Sequence, residues 1–518
     1  MIGEKFRRFD VYLAFLFVIL LIVFNQYFKE NFLLQSSDDI PYLNAANFLQ
    51  YPITNTYIGP FYPLYLKLFL VVFKNPIEAY QNAVLSYGML LGTIFIFFIF
   101  KRERSINSFV ILFLVFFLLN PKLFGIFPKI SFFCCLLVFI CLYLLENRSW
   151  NYKFYVLLST SFLLSYTRPE FYVSFLFIYL VGIFYLVNRK LNWIPFLILG
   201  LFFALFGTYL LGGIPLGSRG LDAFKQHFII NYLKWHPGVT LGNNPKAEFE
   251  LFDKVFGQVT SMPQLLFENP SYFLKHIGQN VLTLMGLCQE ILISGLKFFS
   301  QLIGLPIILW GLLLVILLLN IDFRASWKGI RPKGKIWFKS LILPYLLLIF
   351  PSIVSLILIY PREHYFLFIA YFILLVLILI SLEIKFKSKL LEGASSLILM
   401  GSICLLAIFP NRMHFAQNKL IDLTQVFTKM QQLGNNGQNT FYSPNLFEPI
   451  FFRKYYKNNE NIDITEANLL TLKPDVIFFK YNHLDELKSS KLPIYKDYRV
   501  DKRFSNQNIL IFTKKNLR

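Results

Sequence analysis

The sequence predicts an all-α polytopic membrane protein of about eleven transmembrane helices, with outer-face loops and a small C-terminal α/β domain. Three observations predict it. Hydrophobic residues fill 56% of the 518 positions and charged residues only 15%, which excludes an ordinary soluble assembly. Apolar runs near the roughly 20 residues that cross a hydrocarbon core recur from residue 11 to residue 410. Lysine and arginine gather in the short segments between those runs.

Taken in order, Lys5, Arg7 and Arg8 precede an apolar run from Val11 to Phe24, and no small-residue cleavage site follows. That reads as a retained first helix, spanning 11–28. Further spans are expected at 79–100, 107–120, 128–145, 154–167, 171–188, 193–212, 302–320, 340–360, 365–382 and 394–410. With the N-terminus inside, alternation places Lys101 to Arg104, Arg148 to Lys153, Arg189-Lys190, Arg324 to Lys339 and Lys385 to Lys389 in the cytoplasm. The longest of these holds Arg324, Lys328, Arg331, Lys333, Lys335 and Lys339 without an acid, the pattern that keeps a loop cytoplasmic. The expected location is therefore the bacterial inner membrane, with the C-terminus outside the cytoplasm. The net charge of +21 reports this topology rather than a nucleic-acid-binding face, so the bilayer is the expected partner and nucleic acid is not. Cys134, Cys135, Cys141 and Cys404 fall inside apolar runs and Cys288 near a membrane entry, which suggests neither a disulfide framework nor a zinc site.

The organisation expected is a transmembrane domain over 1–410 and a small extracytoplasmic domain over 411–518. Two outer loops, 29–78 and 213–300, are too long to be simple turns and hold aromatic residues suited to a membrane surface. Tyr42 to Leu49 puts its apolar residues on one helix face, and Pro60 to Phe73 forms a second apolar stretch. In the tail, Pro474 to Phe479 and Asn508 to Phe512 read as strands.

Three polar constellations stand at outer ends. Ser37-Asp38-Asp39-Ile40-Pro41-Tyr42 offers paired carboxylates, suited either to proton abstraction with a neighbour that orients the substrate or to a solvated helix cap. Tyr166-Thr167-Arg168-Pro169-Glu170 places a guanidinium where either a phosphate or the Glu170 carboxylate would satisfy it. Tyr360-Pro361-Arg362-Glu363-His364-Tyr365 supplies a second phosphate candidate, Arg362, and a possible donor to a sugar hydroxyl or leaving group, His364. The long outer loop adds His227, His236, Glu248, Glu250, Asp253 and His276, for acceptor recognition or solvation. No pair has metal-ligand spacing, so no metal and no cofactor is expected; a divalent cation on Asp38 and Asp39 is the alternative.

An acidic pair after the first helix, a following tyrosine and amphipathic stretch, an outer Arg-Pro-Glu and a late outer arginine together resemble the GT-C glycosyltransferases. The pattern is most similar to the branch of protein O-mannosyltransferases and lipid A aminoarabinose transferases. The resemblance covers about 400 residues through short motifs. It implies a polyprenyl-phosphate sugar donor, an unknown lipid, glycan or protein acceptor, and transfer with inversion on the outer face. It implies Asp38 as catalytic base with Asp39 beside it, Tyr42 as the aromatic that follows, and Arg362 near the donor phosphate; Glu363 and His364, standing between that arginine and Tyr365, depart from the family's Arg-Tyr element. Arg168 joins Arg362 as a donor-phosphate residue, with Glu170, His364 and His227 assigned to substrate binding. Two rivals share this composition: a transporter or flippase of a lipid-linked sugar, which would carry polar groups at mid-membrane, and a polysaccharide polymerase or ligase, which has no need of an early acid pair.

Overall fold

The computed structural model describes residues 40–47, 59–73, 76–102, 108–118, 129–211, 219–239, 245–303, 315–390, four short strands between 441 and 514, and a few single positions. These are mostly helical. In chain order the helices are α1 (Ile40–Asn47), α2 (Phe61–Val72), α3 (Pro76–Arg102), α4 (Ser108–Leu118), α5 (Ile130–Leu145), α6 (Trp150–Ser165) and α7 (Tyr172–Asn188). They continue as α8 (Ile194–Leu210), α9 (Arg219–Trp235), α10 (Pro245–Phe256), α11 (Met262–Glu268), α12 (Pro270–Ile303), α13 (Phe323–Trp337), α14 (Leu343–Leu358) and α15 (Glu363–Ser381). The chain divides into two compact units, Met1–Lys29 with Gln50–Tyr62 and Val84–Met413, and Glu30–Leu49 with Pro63–Ala83 and His414–Arg518.

Among the described residues of the first unit, three helices are long and apolar enough to cross a membrane: Pro169–Asn188, Phe323–Leu358 and Glu363–Ser381. Ile130–Leu145 and Ile194–Leu210 are shorter apolar helices. α5 has no charged residue and buries twelve of its sixteen side chains, leaving Ile140, Tyr143 and Leu144 exposed near its C-terminal end, as suits a helix that is apolar all round. Helices stand where spans are expected at 79–100, 107–120, 128–145, 154–167, 171–188, 193–212, 340–360 and 365–382. The expected spans 11–28 and 394–410 lie outside the described residues, as does much of 302–320. The membrane character of the chain thus rests on the three long helices.

Sequence breaks set the helix ends. Between α6 and α7, Arg168 is extended and Pro169 opens a single 3-10 turn, Pro169–Phe171. A proline disfavours helical geometry in the residue before it, which separates the two helices without a long loop. Pro361 and an extended Arg362 separate α14 from α15 in the same way. Ser174 Oγ of α7 donates to the carbonyls of Leu347 and Leu348, tying α7 to α14.

At the end of the bundle where the basic loops fall, Phe109, Leu317 and Ile321 form a core with Phe386 packed against it. Lys153 Nζ donates to the Lys339 carbonyl at 3.1 Å, and Lys333 pairs with Glu383.

The outer loop expected over 213–300 is folded. α9, α10, α11 and the start of α12 close around Phe224, Phe228, Phe252, Phe256, Leu265 and Phe273, with Leu358 of α14 packed on that core. α12 runs for 34 residues, so the loop passes into a helix that continues beyond residue 300 rather than ending there.

In the second unit, α1 buries Tyr42, Leu43 and Ala46. Tyr65 Oη donates to the Ala83 carbonyl at 3.3 Å. Four strands, β1 (Phe441–Tyr442), β2 (Val476–Lys480), β3 (Tyr498–Val500) and β4 (Ile509–Lys514), form one sheet in the order β1-β2-β4-β3. β1 and β2 are parallel, while β4 is antiparallel to both β2 and β3. β2 and β4 fall on the two tail segments read as strands, both rich in the β-branched and aromatic residues that suit a pleated surface. The remainder of the tail lies outside the described residues.

Candidate functional site

The polar side chains of the first unit converge on the turns after α6 and α14. At the first turn, Arg168 is buried, and its Nε pairs with Glu170 Oε1 at 2.6 Å. Its Nη1 donates to Ser131 Oγ at 2.7 Å, in the first turn of α5. Its guanidinium also lies 4.8 Å over the ring of Tyr365. The second and third sequence motifs, far apart in the chain, therefore meet through Arg168 and Tyr365.

The Arg168 turn is also reached from the first outer segment. Phe61 N donates to the Tyr166 carbonyl at 3.2 Å, and an added Cβ on Gly59 would stand 2.2 Å from that same oxygen. Only a residue without a side chain lets the two backbones approach so closely. On the other side, Tyr166 Oη donates to the Gly213 carbonyl at 3.0 Å, at the entry to the long outer segment.

The second turn is held by α9 and α12. Arg362 Nε donates to His227 Nε2 at 2.8 Å, and the His227 ring stacks on Tyr360 with centroids 4.5 Å apart. Because Nε2 accepts, the proton of the neutral ring sits on Nδ1. Among the described residues, that buried Nδ1–H has no acceptor. Burial, then the neighbouring Arg362 charge, hold His227 down to about 3, so it is neutral at physiological pH. Among the described residues no carboxylate forms an ion pair with Arg362.

Below this contact runs a buried amide and imidazole network. His276 Nε2 donates to the Ile359 carbonyl at 2.9 Å, which leaves Nδ1 to accept from Asn231 Nδ2 at 3.0 Å. Asn231 Nδ2 also reaches Asn280 Oδ1 at 2.9 Å. Asn280 Nδ2 in turn donates to the carbonyls of Ile357 and Ile359, at 2.9 and 3.2 Å. Burial lowers His276 to about 4, although its bonds to backbone carbonyls oppose the shift. The last carbonyls of α14 are thus pinned immediately before Tyr360-Pro361-Arg362.

The structure brings together Arg168, Glu170, Arg362 and His227 around these two turns. His364 is buried in the first turn of α15, beside Tyr365. Tyr42 is buried in α1, in the second unit. Asp38 and Asp39 lie outside the described residues, two positions and one position before α1 begins. Of the other acids and histidines in the outer loop, His276 joins the network, and His236 lies 3.4 Å from Tyr272 Oη. Among the described residues no three His, Cys, Asp or Glu side chains gather as a metal group.

Ser131, Asn231 and Asn280 were not singled out by sequence reasoning. A signal for the asparagines exists: His227 to Asn231 and His276 to Asn280 are both His-x-x-x-Asn. That spacing puts both polar groups of each pair on one helix face, inside otherwise aromatic helices. Ser131, one hydroxyl at the start of an apolar run, carries no such signal.

No family model, curated protein or solved structure matches this chain.

Proposed function

We propose that the protein is a glycosyltransferase of the outer face of the bacterial inner membrane, moving a sugar from a polyprenyl-phosphate carrier to an acceptor hydroxyl with inversion. One observation carries the reading. Arg362 is oriented through its Nε by a neutral histidine, and no carboxylate among the described residues neutralises it. Its two terminal nitrogens remain for a planar, bidentate grip on a phosphate. The unmatched Nδ1–H of His227 supplies a second donor beside it.

In this reading, the donor is already activated and the enzyme has three tasks. Asp38 takes the proton of the acceptor hydroxyl as that oxygen attacks the anomeric carbon, and Asp39 orients the acceptor. The bond from the anomeric carbon to the phosphate oxygen breaks as the new glycosidic bond forms, and the polyprenyl phosphate leaves with the electron pair. Arg362 and His227 stabilise the charge on that phosphate, and Arg168, braced by Glu170, holds the turn beside Tyr365. Tyr42 and His364 belong to substrate binding. The topology of about eleven spans, with the N-terminus cytoplasmic and the C-terminal α/β domain outside, belongs to the same proposal. It is supported by the way helix ends assigned to one side meet one another: Ser131 with Arg168, Tyr166 with Gly213, and the turn at Arg362 with His227.

The test is transfer from a panel of radiolabelled polyprenyl-phosphate sugars into membrane products, with wild type, Asp38→Asn and Arg362→Gln at matched expression. Wild type transfers with at least one donor, while Asp38→Asn loses about 100-fold or more. Equal transfer by Asp38→Asn removes the catalytic base from the scheme. No transfer by wild type from any donor, with uptake of the same lipid across vesicles, makes the protein a flippase.

A further inference from the structure

α13 joins a π-helical segment, Phe338–Ile342, and then α14, so that 36 residues run as one helical stretch. At about 1.5 Å per residue that is about 54 Å, far more than a hydrocarbon core of about 30 Å. Only α14 has the composition to cross. α13 must lie elsewhere, and its contacts say where.

Four positions on one face of α13 rest on the segment that follows α15. Asp322 N donates to the Lys385 carbonyl, and Lys385 N donates to Ser326 Oγ, both at 2.8 Å. An added Cβ on Gly329 would lie 2.9 Å from Glu383 Oε2, and Lys333 pairs with Glu383. Positions 322, 326, 329 and 333 are spaced as one helical stripe. Just past the far end, the Lys339 carbonyl accepts from Lys153 in the first turn of α6. Both ends of the helix are therefore tied to ends of apolar helices on the side of the basic loops. The helix runs along that end of the bundle.

Two adjacent stripes make up most of the rest of its surface, with Pro332 and Ile336 exposed between the second of them and the packed face. Phe323, Trp327 and Phe338 are 67%, 63% and 48% exposed, and share one stripe with Ile330. Arg324, Lys328, Arg331 and Lys335 share the next stripe, all exposed, with no acid between them. Exposed aromatics beside a purely basic stripe match an interface of acyl chains and anionic headgroups.

We propose that α13 is an interfacial helix that seats its aromatic stripe in the membrane surface and binds anionic phospholipid headgroups through Arg324, Lys328, Arg331 and Lys335. The proposal needs only that α14 and α15 cross the bilayer, and it holds whether or not the protein transfers sugar. Each basic residue adds attraction to an anionic surface, so four on one stripe select anionic over zwitterionic lipid.

The test is amide hydrogen exchange of the full-length protein in nanodiscs of phosphatidylcholine alone or mixed with phosphatidylglycerol. Exchange over residues 323–337 is expected to be about tenfold slower with phosphatidylglycerol. The quadruple variant R324Q/K328Q/R331Q/K335Q abolishes the difference, whereas R189Q/K190Q, in another basic loop, keeps it. Independently of any variant, raising the salt concentration shrinks the wild-type difference, because exposed charges are screened. Equal exchange in the two lipids overturns the proposal, as does a difference that the quadruple variant or high salt leaves intact.

Discussion

Arg362 Nε donates to His227 Nε2 at 2.8 Å, joining the turn between two apolar helices to α9, 135 residues earlier in the chain. This bond fixes the plane of the guanidinium, and with it the direction of the two nitrogens left for a ligand. Replacing His227 by alanine frees the arginine and leaves its Nε without a buried acceptor, at a cost of about 1–3 kcal/mol. If the protein transfers sugar as proposed, the expected result is a rise of about tenfold or more in KM for the lipid-linked donor, with a smaller change in kcat. His227→Gln, which can still accept, restores part of the affinity; an unchanged KM in His227→Ala removes the histidine from donor binding.

Acid weakens the same region. His227 and His276 are held at about 3 and about 4 in the folded protein, against about 6.5 when unfolded. The unfolded chain therefore binds more protons between these values, and stability rises with pH across that window. The contribution of both neutral rings is complete above about 6.5 and is lost progressively as pH falls toward 4. The protection of amides in residues 219–235 and 270–285 against hydrogen exchange, each rate taken relative to its intrinsic rate at that pH, is expected to fall from pH 7.5 to 4.5. His276→Gln removes part of that dependence; a flat profile in wild type refutes the assignment of neutral, buried imidazoles.

Asn280 is the keystone of the buried network, since one amide satisfies two carbonyls at the end of α14. Asn280→Ala leaves those carbonyls without that donor and Asn231 without one of its two acceptors, a loss of about 1–3 kcal/mol. Thermal unfolding in detergent should show lower stability, and donor affinity should fall in parallel because Arg362 follows directly. Asn280→Asp is expected to be worse than alanine, because a carboxylate cannot donate to carbonyls and buries a charge.

Gly59 allows the first outer segment to touch the turn that carries Arg168. Gly59→Ala drives a methyl toward the Tyr166 carbonyl and breaks the approach that supports the Phe61 bond. The expected cost is about 1–3 kcal/mol in stability. Limited proteolysis of the variant should find a new site near residue 59, and wild-type resistance there would count against a tight contact.

Tyr365→Phe and Tyr365→Leu separate ring from hydroxyl beneath Arg168. Phenylalanine keeps the face that attracts the guanidinium, and leucine is expected to be less stable than phenylalanine by about 0.5–2 kcal/mol. Equal stability of the two variants would show that the ring contributes packing alone.

The sequence by itself determined the membrane character, because about twenty apolar residues in a row have no other solvent that suits them. It also determined where helices end: Pro169 and Pro361 cannot be continued through, and polar residues cluster at the breaks they make. Even the tail strands were legible, since the alternation and β-branched content of 476–480 and 509–514 are local properties. Which polar residues meet was not legible. Arg168 shows both a possible phosphate site and a possible brace in the sequence; tertiary packing pairs it with Glu170 and Ser131 and sets it over Tyr365. His227, which shares its His-x-x-x-Asn spacing with His276, becomes the acceptor for Arg362 only when α9 docks beside the turn after α14. Apolar patterning specifies which faces are buried but is nearly degenerate in the choice of partner helix. Hydrogen bonds and ion pairs demand a particular partner at a particular distance, and three-dimensional packing alone provides it.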